Sequence, residues 1–239
     1  FIDILGKMMI GVVVDSLGIN AKYVFLTRKE HNAGETLKNL QKKCEIVEVD
    51  KRTDGAACTV LLAEKYIDNN LSAFLSVCSL VSDTNTTKFL YASSSSVYGD
   101  SVNFPYREND FNIFPKSFYG VTKRTNELIS NALVPTSKTK ARGLRFFTVY
   151  GPWGRPDMAY FRLINSAIHG YEFNLFGDGT VERDFTYIDD VSRFTIQLMS
   201  QLDKYKVGHN DLVNIGGGAP VSMNNLIQEI ETQSGAAIK

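Results

Sequence analysis

Tyr119 and Lys123 stand four residues apart, the spacing that sets two side chains one above the other on a helix face. A run of four serines at 93–96 follows a short apolar segment, 88–92, and Ser94 precedes Tyr119 by 25 residues. A phenol beside an ammonium, with a hydroxyl close by, is a proton relay. Alcohol–ketone chemistry on a sugar needs such a relay, because an O–H proton must leave as hydride departs from the same carbon. An ammonium about 4 Å from a phenolate stabilises it by about 4 kcal/mol at an effective dielectric near 20, before solvation costs. A tyrosine and a lysine at this spacing are by themselves ordinary surface residues. The serines give the pair its weight: in open α/β sheets ligands sit beyond the carboxyl ends of strands, and each hydroxyl buried there needs a partner.

The elements that must position these groups can be read from periodicity. A helix is expected over about 118–133, and at roughly 100° per residue Tyr119 and Lys123 fall within roughly 40° of each other. Val121, Leu128, Ile129 and Ala132 cluster on the far side. That apolar face is expected to pack inward, leaving the reactive pair on another surface. Strand-like runs occur at 22–26, 45–49, 88–92, 144–149 and 212–215. Helical patterns lie at 71–81, 158–169, 190–201 and 222–234, with a glycine turn at 216–218. Alternating strands and helices predict a parallel sheet flanked by helices. The nearly continuous apolar runs at 88–92 and 144–149 suit strands covered on both faces.

Composition narrows the function classes. Among 239 residues, Lys+Arg and Asp+Glu both total 26, so nothing marks the chain for nucleic acid or an anionic membrane. Cys44, Cys58 and Cys78 show no CxxC spacing and read as reduced core thiols of a cytoplasmic protein. The most apolar run, 8–14, stops at Asp15; it is too short to span a bilayer, and the N-terminus lacks a secretion pattern. His31, His169 and His209 have no metal-ligand spacing, so no metal is expected.

Four segments in order carry a family likeness. They are Tyr91-Ala92-Ser93-Ser94-Ser95-Ser96-Val97-Tyr98-Gly99, the Tyr119/Lys123 pair, the stretch from Arg145-Phe146-Phe147-Thr148 through Gly151-Pro152-Trp153-Gly154-Arg155-Pro156-Asp157-Met158-Ala159, and Arg183-Asp184-Phe185-Thr186-Tyr187-Ile188-Asp189-Asp190. From about residue 65 onward the chain resembles the extended short-chain dehydrogenase/reductases, and within them the nucleotide-sugar epimerases of the UDP-glucuronate 4-epimerase type. The Gly-Pro-Trp-Gly-Arg-Pro-Asp stretch favours the uronate branch. The resemblance implies an α/β, Rossmann-type doubly wound sheet with a smaller C-terminal substrate lobe. NAD would bind to residues 1–150 plus about 183–215, and the lobe would comprise about 151–182 and 216–239. It implies epimerisation at C4 of a UDP-sugar, UDP-glucuronate to UDP-galacturonate, through a 4-keto intermediate. Ser94, Tyr119 and Lys123 would be catalytic. Gly11, Asp50, Asn70, Tyr119 and Lys123 would hold NAD. Ser94, Ser95, Thr148, Arg155 and Arg183 would hold the substrate, with Arg155 on the sugar carboxylate and Arg183 on the diphosphate. A homodimer through the helices near 68–84 and 118–133 is also implied.

UDP-glucose and UDP-N-acetylhexosamine remain open as substrates. Dehydratases of the group need an acidic residue beside the serine, and the serines at 93–96 have none. A non-catalytic nucleotide-sugar binder also remains open, because the family's opening GxxGxxG, whose amides cradle a pyrophosphate, is reduced here to Gly11. After the second strand, Arg28 stands near the place of the expected ribose-binding acid and suits a 2′-phosphate, so NADP stays possible beside NAD. Either cofactor and substrate loops have been left out of a longer chain, or the motif is natively lacking. The first is expected, since such loops are commonly mobile without ligand and the catalytic residues are intact.

Overall fold

The computed structural model describes residues 3–4, 7–8, 23–28, 44–49, 66–84 and 86–238. The chain divides into two units, Phe1–Leu62 and Ala63–Lys239. In the first, β1 (Asp3–Ile4) pairs antiparallel with β2 (Lys7–Met8), and β3 (Tyr23–Arg28) pairs parallel with β4 (Cys44–Val49).

The second unit holds a parallel sheet of β5 (Lys88–Ser94), β6 (Lys140–Phe146) and β9 (Asn210–Ile215), in the order β5-β6-β9. Helices α1 (Ala73–Asp83), α2 (Phe118–Leu133) and α4 (Ile188–Gln201) belong to this layer. A π-helical run, Ile67–Ser72, leads into α1. The fold is α/β and Rossmann-like, as the alternating pattern predicts. Its core joins Leu144, Val191 and Ile215 to Leu90, Phe146, Val149, Leu198 and Val213; each such side chain, when fully buried, contributes about 1.5–3 kcal/mol.

A smaller sheet follows. β7 (Thr148–Tyr150) pairs parallel with β8 (Glu182–Tyr187), which pairs antiparallel with β10 (Pro220–Ser222). Helices α3 (Ala159–His169) and α5 (Met223–Ser234) pack on each other. Sequence pattern reads 144–149 as one strand, and the structure divides it. The Phe147 amide donates to Ile215 at 3.0 Å as the last bond beside β9, and Thr148 then pairs with Phe185 in the other sheet. Thr148 is thereby carried from the main sheet into the smaller one.

Two local devices place α2. The Ser117 hydroxyl accepts the Gly120 amide at 3.0 Å, capping the helix start. Gly120 then lies so close to the serine turn that a Cβ there would stand 2.6 Å from the Ser96 carbonyl oxygen. Only glycine allows that approach.

The faces of α2 are reversed from expectation. Its buried residues are Gly120, Thr122, Asn126, Glu127 and Ser130, while Val121 is 43% and Leu128 53% exposed. Helical periodicity separates the two faces correctly. The inward one is polar because it meets charged and hydroxyl groups at the end of the sheet.

Candidate functional site

The carboxyl end of β5 supplies the hydroxyls. Ser93 and Ser94 are both buried. The Ser94 hydroxyl donates to Ser96 Oγ at 3.2 Å and accepts the Ser96 amide at 3.2 Å, so it caps the 3-10 turn Ser95–Tyr98. Ser95 opens that turn, partly exposed.

Tyr119 and Lys123 project from the first turns of α2. Lys123 Nζ donates to the Ala92 carbonyl at 3.0 Å, two residues before Ser94, and stands 5.7 Å from the Tyr119 ring centroid. Burial pushes the Lys123 ammonium below the ordinary lysine value. Among the described residues no carboxylate pairs with it, so its hydrogen-bonding capacity is only partly used. Asn70 Nδ2 donates to Thr122 Oγ1 at 3.0 Å, and Thr122 Oγ1 donates to the Tyr119 carbonyl at 2.8 Å. Asn70 is thus tied to the backbone of the residue that carries the phenol. Tyr66 packs on Tyr119 with ring centroids 6.0 Å apart.

Thr148 and Arg183 meet elsewhere. Both line a cavity of about 290 Å³ with Met158, Arg162, Phe173 and Phe176. Arg162 stacks over Phe173 at 5.3 Å, and Arg183 Nη1 donates to the Glu182 carbonyl at 3.0 Å. Arg155 is exposed and grips Asp157 through Nε, at 3.0 Å, and through Nη2. That pairing raises the Arg155 pKa, and the nearby Tyr119 and Tyr66 add to it. Asp157 itself lines the cavity, so the Arg155–Asp157 pair stands at its edge. Gly11 and Asp50 lie outside the described residues.

Sequence reasoning missed the group beneath the serines. Glu127 and Arg145 are fully buried. Arg145 donates from Nε and Nη2 to the Glu127 carboxylate at 2.8 and 2.9 Å, Ser93 Oγ donates to it at 2.6 Å, and Arg124 Nη1 at 2.8 Å. Burial pushes the Glu127 pKa up, but the hydrogen bonds from Arg145 and Ser93 outweigh this and hold it below the ordinary glutamate value. Arg145 Nη1 also donates to Tyr98 Oη at 2.8 Å, and Tyr98 donates to Asn214 Oδ1 at 2.7 Å. Two signals pointed here: an arginine inside an apolar strand, and a carboxylate four residues after Lys123, on the same helix face.

Chemically, this arrangement offers hydroxyl, phenol and ammonium groups at the carboxyl end of a parallel strand. It also offers a separate cavity with aromatic walls and cationic residues. A nicotinamide dinucleotide fits the first set by donor chemistry: the half-buried ammonium has N–H bonds to spare for a ribose diol. Among the described residues no helix is long and apolar enough to cross a membrane.

Comparison with known proteins bears on the same residues. The profile of the NAD dependent epimerase/dehydratase family matches residues 38–216. UDP-glucuronate 4-epimerase 4 of Arabidopsis thaliana is 33% identical over 224 residues, 88% of this chain and 51% of the relative. UDP-glucuronate 4-epimerase of Thermodesulfobacterium geofontis is 38% identical over 175 residues, 73% of this chain and 52% of the relative. The chain spans about half the length of the curated relatives it matches. A solved structure of UDP-glucuronic acid 4-epimerase from Bacillus cereus, in complex with UDP-glucuronic acid and NAD, is similar with a TM-score of 0.71 at 27% identity. The match covers 96% of this chain and 81% of that one.

Proposed function

This chain belongs to the NAD dependent epimerase/dehydratase family, and from that premise we propose that it epimerises a UDP-sugar at C4, converting UDP-glucuronate to UDP-galacturonate. One observation carries the proposal: Lys123, bound to the Ala92 carbonyl at 3.0 Å, holds α2 and its Tyr119 against the strand end that bears Ser94. Tyr119 takes the proton from O4 of the hexose and later returns one. Ser94 hydrogen-bonds the same oxygen and fixes its orientation. Lys123 stabilises the phenolate and hydrogen-bonds the nicotinamide ribose, and Asn70 holds the helix turn that carries Tyr119. NAD, when bound, supplies the hydride acceptor and donor at C4.

The cavity lined by Thr148, Arg162, Phe173 and Arg183 takes the nucleotide. Its aromatic walls suit a base, and its arginines suit a diphosphate. Arg155 receives the uronate carboxylate by exchanging its bond to Asp157. A 4-keto uronate is a β-keto acid prone to lose carbon dioxide, and holding the carboxylate resists that loss. Replacing Arg155 with alanine is expected to raise KM for UDP-glucuronate about tenfold, the loss of a hydrogen bond to a charged group, while leaving UDP-glucose turnover unchanged. Incubating wild type and variant with both sugars, and separating the epimers, checks this. Equal effects on the two sugars contradict the role given to Arg155. Failure of wild type to convert either sugar contradicts the function.

A homodimer belongs to the same proposal. The outward face of α2, with Val121 and Leu128, lies beside α1, whose Leu80 is 62% exposed. Paired helices from two copies would cover these side chains. Light scattering is expected to give twice the chain mass, and Leu128→Glu to give monomer; a wild type that is monomeric at micromolar concentration contradicts the pairing.

A further inference from the structure

Resting on the epimerase function above, we infer that Glu127 is a positioning residue that sets the distance between the serine strand end and the Tyr119 helix. Ser93 lies opposite Arg145 in the β5–β6 ladder, and both side chains reach the one carboxylate on α2. At the far end of the following turn, Tyr98 is held by Arg145 and Asn214. The segment that carries Ser94 is therefore anchored on both sides, at Ser93 and at Tyr98, to one buried carboxylate–guanidinium pair. Among the described residues the Ser94 hydroxyl bonds to Ser96, two residues on, and its backbone lies opposite Phe146 in the β5–β6 ladder, so the two flanking anchors add to the ladder in fixing its place.

The other end of the device is the helix. Tyr119, Lys123 and Glu127 recur every fourth residue along α2, and Lys123 makes a second tie between helix and strand at Ala92. The Ser93 bond then acts as a fixed spacer between the hydroxyl that orients O4 and the phenol that takes its proton. Apolar side chains of similar volume usually stabilise a core as well as a buried ion pair does. A satisfied polar network instead selects one arrangement, and reacting groups need that selection, because a displacement of about 1 Å costs about a hundredfold in rate.

Ser93→Ala removes the strand's bond to Glu127 and leaves the Glu127–Arg145 pair in place. Ser130→Ala is the matched control: it removes one buried hydroxyl from the same helix, whose bond runs to Asn210 at 3.1 Å and not to the strand end. Four quantities are measured on each: kcat and KM with UDP-glucuronate, UDP affinity by calorimetry, and melting temperature. Ser93→Ala is expected to lower kcat about tenfold with KM and UDP affinity unchanged, while Ser130→Ala keeps wild-type kcat at a similar melting temperature. A Ser93→Ala enzyme with wild-type kcat, or equal kcat losses in both variants, overturns the positioning role alone. An inactive wild type that still binds UDP overturns the epimerase function, and the positioning role with it.

Discussion

Replacing Tyr119 with phenylalanine should lower kcat for C4 epimerisation by about three orders of magnitude, within the range that a positioned acid–base group contributes. The phenylalanine ring preserves the packing on Tyr66 and the contact with Lys123, which involve the ring rather than the hydroxyl. Asn70 and Thr122 hold the Tyr119 backbone, not its side chain, so the helix start stays in place. KM and UDP affinity should therefore change little while kcat collapses. Steady-state kinetics beside calorimetry separates the two effects. A Tyr119→Phe enzyme with more than a tenth of wild-type kcat would move the proton-transfer role to another group.

Replacing Arg145 with leucine should cost about 3–5 kcal/mol of stability, the usual consequence of removing one partner from a buried ion pair. For a chain of this size that amounts to a fall in melting temperature of roughly 6–20 °C. The cost arises because Glu127 keeps its charge and, among the described residues, is left with Ser93 and Arg124 to satisfy it. The dependence on pH has a definite sign. In the wild type the Glu127 pKa is depressed below the ordinary glutamate value, so its contribution is present above that ordinary value and is lost as pH falls through the lower, folded value. In Arg145→Leu the depressing partner is gone and burial raises the Glu127 pKa, so the variant should recover part of its stability as pH falls from neutral toward 5. The double variant Glu127→Leu/Arg145→Leu should be more stable than Arg145→Leu alone. Thermal melts across pH test all three statements. A single variant as stable as the wild type at pH 7 contradicts the account of this pair.

Much of the frame was legible because local chemistry and tertiary structure agree. Helix α2 runs over the 118–133 read from its pattern, since Ser117 caps its start and its two faces differ in character. The serine run ends a parallel strand as expected, and its hydroxyls find partners at Glu127 and Ser96. The orientation of α2 was not legible. Periodicity tells which residues share a face, not which face meets the sheet, and here a polar network draws the polar face inward. Arg145 signalled itself by lying within an apolar strand, but its partner sits 18 residues earlier on a helix, and no local spacing specifies that pairing. The break at Phe147 was hidden as well, because a run of apolar residues reads the same whether its strand continues or changes sheets. Within the site, Thr148 and Arg183 meet in one cavity, whereas Arg155 is engaged with Asp157. A carboxylate two residues from that arginine was visible, but the ion pair between them was not.

The most direct measurement follows UDP-glucuronate with the wild-type protein in deuterium oxide by proton NMR. In the proposed reaction Tyr119 exchanges only the O4 proton, while the hydrogen on C4 leaves and returns as hydride inside the site. UDP-galacturonate should therefore accumulate with its C4 proton fully retained. Deuterium at C4 of the product, or substrate left unchanged by folded protein supplied with NAD, would contradict this account.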